Sequence, residues 1–536
     1  MIERDELTQV ERDKLTINPD FDFEALASRP LESIPSGELA MFKWNGIYGQ
    51  RQKGFFMMRV RIPGGLLTAS QLERIAELAE TYARGQLCAT TRQTLQFHWL
   101  RLEDLHRVLA GLGEVGLDTK NACGDVTRNV VTCPLQGVCP HEVKDVRPMI
   151  EAVAQDPELR DRQRNLPRKH KISIAGCGRA CGQTLMNCEG WYPVRRQRGG
   201  QDEVGWRYRA GGGLGARPHL ARPVFAWVPE DLVLPVIQAT TEVFRQTGNR
   251  RVRALARLKI VIAEIGADAF TDRVLEVLRA RGVSGIERLE RADGPLPIGP
   301  MFTDGQAAIA QRQAGFNTVR ALLPRGEFTA VQGHRFAAWA RSHGDGTLML
   351  TARQNLEWRG VAEANVGSLQ RAIEGAGLSS EGHERLPDMV ACVGTTQCNV
   401  AAADAPDAYR RLMAALAPDR AFWTEIGPLR IHLSGCPNSC AQHWIADIGL
   451  RGGRRTTEVG PEETFTLCVG GSLDGAGHIA QPIGVVPSRD LAPTIRRLLE
   501  TYLAERSDSG ETFGQYARRV GTAALAQRLG LPDGGA

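Results

Sequence analysis

The sequence has no uninterrupted apolar run long enough to cross a bilayer, so a membrane-spanning helix is not predicted. The first residues, MIERDELTQVERDK, are charged from the third position and lack the apolar segment of a secretory signal. These two absences predict that the protein stays in the cytoplasm.

A strong excess of charge is also missing. Lys plus Arg number 66 and Asp plus Glu number 61, which leaves a net charge of +5. This excess is too small to indicate a nucleic-acid partner, although it suits an acidic protein. A dinucleotide motif is missing too: GGGLG at 211–215 lies in a turn region, and no G-x-G-x-x-G follows a strand. Electrons for any redox reaction would therefore come from another protein.

What the sequence does contain is enough chain for several domains and an unusual number of cysteines. Its 536 residues exceed one ordinary core, and its 42% hydrophobic and 24% charged residues are typical of a globular protein. Twelve cysteines in a reducing compartment indicate metal or redox chemistry before disulfides.

The chain repeats itself. Residues 62–99 and 323–358 share a pattern of strand, Pro/Gly turn, amphipathic helix and second strand, and their matching residues are separated by 261 positions. The matches are Pro63 with Pro324, Thr68 with Thr329, and Arg92-Gln93 with Arg353-Gln354. The repeat predicts a duplicated α+β unit and a pseudo-twofold molecule, with a candidate site where the halves meet.

The cysteines repeat as well, with 259 positions between the halves. Each half has a C-x5-C pair followed by a C-x3-C pair: Cys133, Cys139, Cys177 and Cys181 in the first, and Cys392, Cys398, Cys436 and Cys440 in the second. Four thiolates hold either a cubane iron–sulfur cluster or a tetrahedral zinc ion. The spacing is unusual for zinc, and buried structural thiols are a third interpretation.

Cations form the second chemical signal, in the first half. Arg59 lies in FMMRVRI, Arg128 in DVTRNV, and Lys169 and Lys171 in LPRKHKISI. In an extended strand the two lysines point to one face, where their charges repel unless an anion lies between them. A solvated strand edge is the alternative, since exposed lysines are common there.

At this point the chain resembles a known family, the sirohaem-containing sulfite and nitrite reductases. The motifs are FKWNGIYGQR, FMMRVRIPGG, TTRQTLQFHW, CGDVTRNV, LPRKHKI, C-x5-C and GCPNSC, in family order from about residue 42 to about residue 500. Among its members the ferredoxin-dependent assimilatory sulfite reductases are the most similar. The resemblance implies an α+β fold with paired ferredoxin-like half-domains and two larger α/β domains around a central sirohaem.

The resemblance also assigns roles. Cys392, Cys398, Cys436 and Cys440 match the ligands of a 4Fe-4S cluster, and Cys440 matches the axial ligand of the sirohaem iron. Arg59, Arg128, Lys169 and Lys171 match the cations that hold the substrate anion. Arg92, Gln96 and Asn438 match positions that contact the sirohaem.

Two features depart from the family pattern or extend it. The first half carries its own complete cysteine set, whereas the family usually has one set, in the second half. Two interpretations follow for Cys133, Cys139, Cys177 and Cys181: they bind a second 4Fe-4S cluster, or they are four reduced structural thiols. The counterparts of three substrate cations are Pro387 for Arg128, Pro428 for Lys169 and Arg430 for Lys171, which predicts a single catalytic site.

Tyr48 and Cys123 match a pair that is cross-linked in some sulfite-reducing members; an ordinary Tyr and thiol are the alternative.

The predicted reaction is the six-electron reduction of sulfite to sulfide, with electrons from ferredoxin or, alternatively, a flavoprotein. K-x-K at Lys169 and Lys171 resembles the sulfite reductases, whereas plant-type nitrite reductases tend to carry K-x-N. Nitrite reduction to ammonium is the main alternative. Precorrin-3B synthase and a non-catalytic electron-transfer subunit are disfavoured by the complete cation set.

The predicted domain organisation follows the repeat. It consists of an N-terminal arm (1–41), a half-domain (42–118) paired with a second one (302–378), a sirohaem and substrate-cation domain (119–300), a cluster and sirohaem domain (379–500), and a C-terminal tail (501–536) expected to be a surface helix pair with a frayed end.

Overall fold

A computed structural model describes residues 6–289, 297–301, 305–458 and 460–531. The expected domain borders at 300 and 302 fall beside or within the residues that it leaves out, and the last five residues also lie outside it. In the described part, the strands form four five-stranded sheets, two in each half of the chain. The duplicated α+β fold predicted from the repeat is confirmed.

Two of the sheets form the ferredoxin-like part. Their strands are β1 (Ile47–Gly49), β2 (Phe56–Arg59), β3 (Leu66–Thr68), β4 (Gln86–Ala89) and β5 (Leu95–Leu100), and β11 (Ala308–Ala310), β12 (Phe316–Ala321), β13 (Glu327–Thr329), β14 (Thr347–Leu350) and β15 (Leu356–Ala362). The strand orders are β1-β2-β5-β4-β13 and β11-β12-β15-β14-β3. Each half thus lends one edge strand to the other, and this exchange joins the two halves.

The helices of these units begin at matching caps. They are α4 (Ala69–Tyr82) and α5 (Leu105–Gly113) in the first half, and α10 (Ala330–His343) and α11 (Glu363–Gly375) in the second. Thr68 with Gln71, and Thr329 with Gln332, form capping boxes that satisfy the free N–H groups at the starts of α4 and α10. The apolar face of α4 expected from the sequence is buried in the shared core, where α4 packs against α10.

The two larger sheets begin with parallel pairs, one pair in the first sheet and two in the second, and continue antiparallel. Their strands are β6 (Ile172–Ile174), β7 (Glu189–Arg198), β8 (Gln201–Ala210), β9 (Arg222–Val228) and β10 (Glu287–Arg288), and β16 (Val390–Ala391), β17 (Ile431–Ser434), β18 (Ile448–Thr457), β19 (Gly460–Val469) and β20 (Gln481–Pro487). Long hairpins β7–β8 and β18–β19 dominate the two sheets.

Helices cover these sheets in a duplicated arrangement. They are α6 (Arg147–Gln155), α7 (Val233–Thr247), α8 (Leu258–Ile265) and α9 (Ala267–Ala280), and α12 (Gly394–Gln397), α13 (Ala405–Leu416), α14 (Arg420–Ile426), α15 (Leu491–Glu505), α16 (Phe513–Val520) and α17 (Thr522–Leu529). Helices α7–α9 share one buried core with β7 and β8, and α15–α17 share one with β18 and β19.

The expectation of a C-terminal tail from residue 501 needs correction. Helix α15 crosses that border, and Phe513, Tyr516 and Leu525 are fully buried. Helices α16 and α17 occupy the places that α8 and α9 occupy in the first half, so they complete the second core. The apolar faces of these helices are covered by the sheet, which the sequence pattern alone did not show.

The N-terminal arm contains α1 (Gln9–Thr16), α2 (Phe23–Ala27) and α3 (Ser36–Met41). Phe23 and Leu26 join the ferredoxin-like core, so the arm is packed onto the first half. Among the described residues, none of the helices has the length and apolar character needed to cross a membrane.

Candidate functional site

Arg59 and Arg128 converge on one loop of the first half. Arg59 ends β2 and lies directly opposite Gln96 of β5. Its Nη1 lies 3.2 Å from Sγ of Cys123, and Arg128 donates from Nε and Nη2 to the Gly124 carbonyl at 2.8 and 2.6 Å. Within the described residues neither guanidinium contacts a carboxylate, so both charges remain available to an external anion.

The two lysines are placed by the residue between them. His170 points into the core, where its Nε2 lies 3.1 Å from Glu189 Oε1. Because side chains alternate along an extended chain, Lys169 and Lys171 are expected on the face opposite His170. In the described part of the chain, neither Nζ has a hydrogen bond or an ion pair.

These lysines carry an electrostatic penalty. Burial, followed by the charges of Arg168 and Arg257, lowers the pKa of Lys169 to about 7. Burial and the charge of Arg92 lower the pKa of Lys171 well below its usual range. A buried cation without a counter-ion is costly, so an anion in this space would relieve the repulsion.

Arg92 and Arg257 extend the cationic surface. Arg92 donates from Nη1 to the Asn187 amide oxygen at 2.9 Å, and burial together with Arg128 lowers its pKa to about 9. Arg257 was missed by the sequence analysis, because nothing in RVRALARLK distinguishes it from its neighbours. The Nε atoms of both arginines are buried without a hydrogen-bond partner.

At the equivalent positions of the second half, arginines form ion pairs with carboxylates of the protein itself. Its counterparts of Arg59, Arg92 and Lys171 are all arginines paired with carboxylates: Arg320 with Glu357 at 3.2 Å, Arg353 with Asp388 at 2.7 Å, and Arg430 with Asp447 at 3.0 Å. At the matching positions the first half has two amides and a thiol: Gln96, Asn129 and Cys188. The first half therefore keeps its cations and lacks the three carboxylates.

Gln96 shows the difference most directly. The strand register pairs Arg59 with Gln96 and Arg320 with Glu357 in the same way. With its amide oxygen turned toward Arg59, Gln96 accepts hydrogen bonds from Nη2 at 2.6 Å and Nε at 3.2 Å. This orients the guanidinium without cancelling its charge, so the site retains its attraction for anions.

The second-half cysteines lie beside these cations. Cys392 Sγ accepts a hydrogen bond from the Gly435 amide at 3.1 Å, and burial followed by the charge of Cys440 raises its pKa to about 12. Burial also raises the pKa of Cys398 and of Cys436, and in both the charge of Cys440 adds to the effect. The four thiols are thus close neighbours.

Cys440 is the exposed member of this set and faces the cations. Its charge opposes the lowering of the Lys169 pKa and, with Cys123, raises the pKa of Arg59 despite burial. Among the described residues, no three His, Cys, Asp or Glu side chains are gathered tightly enough for a single metal ion. A cubane cluster takes one thiolate at each of four separate irons and suits such a wider set.

Comparison with known proteins gives the family. Residues 123–281 and 383–533 match the nitrite and sulphite reductase 4Fe-4S domain, and residues 48–115 and 309–376 match the nitrite/sulfite reductase ferredoxin-like half domain. The chain belongs to the nitrite and sulfite reductase family. It is therefore an oxidoreductase with a 4Fe-4S domain, as the motifs predicted.

Relatives in this family carry both substrate names. The chain is 31% identical to an assimilatory ferredoxin-dependent nitrite reductase of Haloferax mediterranei, over 94% of this chain and 90% of that protein. It is 30% identical to sulfite reductase [ferredoxin] 1 of Mycolicibacterium paratuberculosis, over 97% and 96%. The solved structure of the Mycobacterium tuberculosis NirA protein is similar with a TM-score of 0.86 and 29% identity, over 97% of both chains.

Three further residues predicted from the family motifs lie near this site. Asn438 is exposed in the turn between two cysteines, and its backbone donates a hydrogen bond to Cys436. Burial, and then the nearby Cys123 thiol, raise the pKa of Tyr48. Cys123 is fully buried and forms no disulfide, so the cross-link to Tyr48 stays a prediction.

Proposed function

We propose that this family member reduces sulfite to sulfide by six electrons, at a sirohaem joined through Cys440 to a 4Fe-4S cluster. The observation that carries the proposal is a set of cations without carboxylate partners beside the exposed Cys440 thiol. Such a surface suits an anionic substrate together with a macrocycle that bears many carboxylates.

The residues present fit both groups. Cys392, Cys398, Cys436 and Cys440 would hold the cluster, and Cys440 would also ligate the haem iron. The carboxylates of the sirohaem would lie against Arg92, Gln96, Asn438 and Arg257, of which Arg92 and Arg257 have buried nitrogens without partners. When bound, these groups supply electrons one at a time to the anion.

The protein's own contribution is to bind the anion and deliver protons. Arg59 and Arg128, fixed by their contacts with the 122–124 loop, orient the oxyanion. Lys169 and Lys171 flank His170 just before β6 and would place two ammonium groups at the substrate. Lys169 would donate a proton to the bound anion, which oxygen removal as water requires, and that anion would raise the Lys169 pKa above the value of about 7 that burial gives it.

Two lysines favour sulfite over nitrite. Sulfite carries more negative charge than nitrite, so it gains more from a second ammonium group. Nitrite reduction to ammonium by the same site is the second candidate, because relatives named for either substrate match the chain about equally well.

We also propose ferredoxin as the electron donor. The relatives in the comparison are named as ferredoxin-dependent, and the net charge of +5 suits an acidic partner. A flavoprotein donor is the alternative.

The test is turnover of the anaerobically purified protein with each anion, compared as kcat/KM. Photoreduced viologen or ferredoxin serves as donor, because dithionite releases sulfite. We expect a higher kcat/KM for sulfite, with sulfide as product, and a shift toward nitrite in Lys171→Asn. A nitrite preference in the unaltered protein, with ammonium as product, would make the second candidate correct; the absence of sirohaem absorption would contradict both.

The predicted link between Tyr48 and Cys123 is tested by peptide mass spectrometry. A linked pair of peptides is lighter by two hydrogens than the separate peptides. Recovery of both peptides unmodified, from protein with full sirohaem content, would exclude the link.

A further inference from the structure

We propose that Cys133, Cys139, Cys177 and Cys181 bind a second 4Fe-4S cluster, which transfers electrons and has no haem of its own. This site goes beyond the proposed function and relies on it only for the protein that donates the electrons. It would lie on the opposite side of the pseudo-twofold axis from the first cluster.

The four thiols of the first half form one buried group. Cys133, Cys139 and Cys177 are at most 9% exposed, and none of the twelve cysteines of the chain forms a disulfide. Cys133 and Cys181 share a hydrogen bond, and both lie with Cys139 in one packed cluster. The Val143 amide donates to the Gly176 carbonyl at 2.8 Å, which holds the chain just before Cys177 against the chain just after Cys139.

The surroundings of the sulfurs are duplicated between the halves. In each set, the residue two positions after a cysteine donates a backbone hydrogen bond to that cysteine's sulfur. The donors are His141 to Cys139 and Arg179 to Cys177 in the first half, and Val400 to Cys398 and Asn438 to Cys436 in the second. Hydrogen bonds to sulfur stabilise iron–sulfur clusters and tune their potentials. The first half therefore offers its cysteine sulfurs the same backbone donors as the second half does.

The loops that carry the cysteines are also held in the same way. Each C-x5-C loop is anchored by the ferredoxin-like unit of the opposite half, through a backbone hydrogen bond from an arginine. Arg312 donates to the Val138 carbonyl at 2.8 Å, and Arg51 donates to the Gln397 carbonyl at 2.9 Å. The first-half loop is therefore held at the same point as the second-half loop.

The two sites differ where a haem would bind. Cys440 is exposed toward the cations, whereas its counterpart Cys181 is half-buried and packs against the cluster that contains Leu135 and Ile309. The arginines of the mirror site are neutralised by their own carboxylates. With these three arginines paired, the mirror site is less suited than the first to a haem or a substrate anion, which favours electron transfer as its chemistry.

A short path joins the two cysteine sets. Gln183 lies two residues after Cys181, and Gln442 lies two residues after Cys440. The two amides meet across the pseudo-twofold axis, where Nε2 of Gln183 donates to Oε1 of Gln442 at 3.0 Å. In the proposed step, the second cluster accepts one electron from the reduced protein donor and passes it along this connection to the first cluster, returning to its oxidised state.

The first test is metal analysis of the full-length protein, purified anaerobically. With sirohaem at one per chain, we expect about nine irons and eight acid-labile sulfides per chain. About five irons and four sulfides, with sirohaem complete, would overturn the second cluster. One zinc per chain with five irons would overturn it as well, since zinc would then fill the site.

The second test uses the variant Cys139→Ser/Cys177→Ser, with Cys468→Ser as a control because Cys468 is buried and belongs to neither set. We expect the double variant to lose about four irons, to keep its sirohaem absorption, and to take up one electron fewer in a reductive titration. Unchanged iron in a folded double variant would contradict the proposal. If the variant does not fold, the iron and sulfide content of the unaltered protein decides alone.

These outcomes are independent of the proposed function. Loss of sirohaem or of turnover in the unaltered protein would contradict the reductase, whatever the iron count. A count of about five irons in an active enzyme would contradict only the second cluster.

Discussion

Single residues decide in which half of this duplicated molecule the arginines have carboxylate partners. Gln96 and Glu357 occupy equivalent places opposite Arg59 and Arg320, but only Glu357 brings a negative charge that balances its arginine. An amide and a carboxylate have nearly the same shape, so the difference is one of charge alone.

The first prediction follows from this exchange. Gln96→Glu should pair with Arg59 as Glu357 pairs with Arg320, and should raise the KM for sulfite roughly tenfold or more, the effect of about 1.4 kcal/mol. The measurement is steady-state kinetics together with sirohaem absorption. Glu357→Gln is the matched control in the other half, where an unchanged KM is expected; an equal effect of both substitutions would contradict the assignment.

At the residue scale, the sequence predicted which cations line the site but not which arginines of the second half pair with carboxylates. Aligning the cysteines showed that Pro387, Pro428 and Arg430 stand where three cations stand in the first half. The same alignment places Asn129 on Asp388 and Cys188 on Asp447, but only the folded structure shows that these acids touch Arg353 and Arg430. Side-chain distances across separate strands cannot be obtained from spacing.

At the scale of elements, the N-terminal arm is tied to the site domain through Asp125. This buried carboxylate contacts Lys14 of α1 at 3.1 Å, Arg168 at 3.1 Å and Arg253 at 2.8 Å. Burial opposes its charge, but these cations hold its pKa far below the usual range. Arg168 directly precedes Lys169, so its contact with Asp125 helps to position the segment that carries Lys169 and Lys171.

The second prediction concerns this junction. Asp125→Asn would leave Arg168 and Arg253 without a carboxylate partner and Lys14 with Glu11 alone, and should cost roughly 3–5 kcal/mol of unfolding free energy. Urea unfolding measures it. Asp145→Asn, which breaks the half-exposed pair with Arg147, is the control and should cost under about 1 kcal/mol. Equal losses for the two variants would show that Asp125 does not hold the arm.

For the whole molecule, the unbalanced cations predict how stability varies with pH before cofactors bind. The folded pKa of Lys169 is about 7, below its unfolded value of 10.5. Between these values the unfolded chain binds more protons, so the unfolding free energy should rise with pH across this window.

The third prediction is measured as thermal unfolding of the cofactor-free protein at pH 6.5 and pH 9. Lys169→Met should raise Tm more at the lower pH and so reduce the slope with pH, since it removes a charge that is disfavoured there. Lys53→Met, at an exposed position, is the control and should leave the slope unchanged. A slope that survives in Lys169→Met would assign the effect to other groups.

The sequence by itself determined the duplication, the two cysteine sets and the family, because repeated spacing and short motifs are local in the chain, and it predicted the substrate cations. The alternation of Lys169 and Lys171 around His170 was also predictable, since it follows from strand geometry. Only the tertiary structure decided that α16 and α17 complete a core, that Arg257 joins the cationic surface, and that three acids neutralise the mirror site. Burial and charge pairing depend on contacts between segments far apart in sequence, and those contacts exist only in the folded chain.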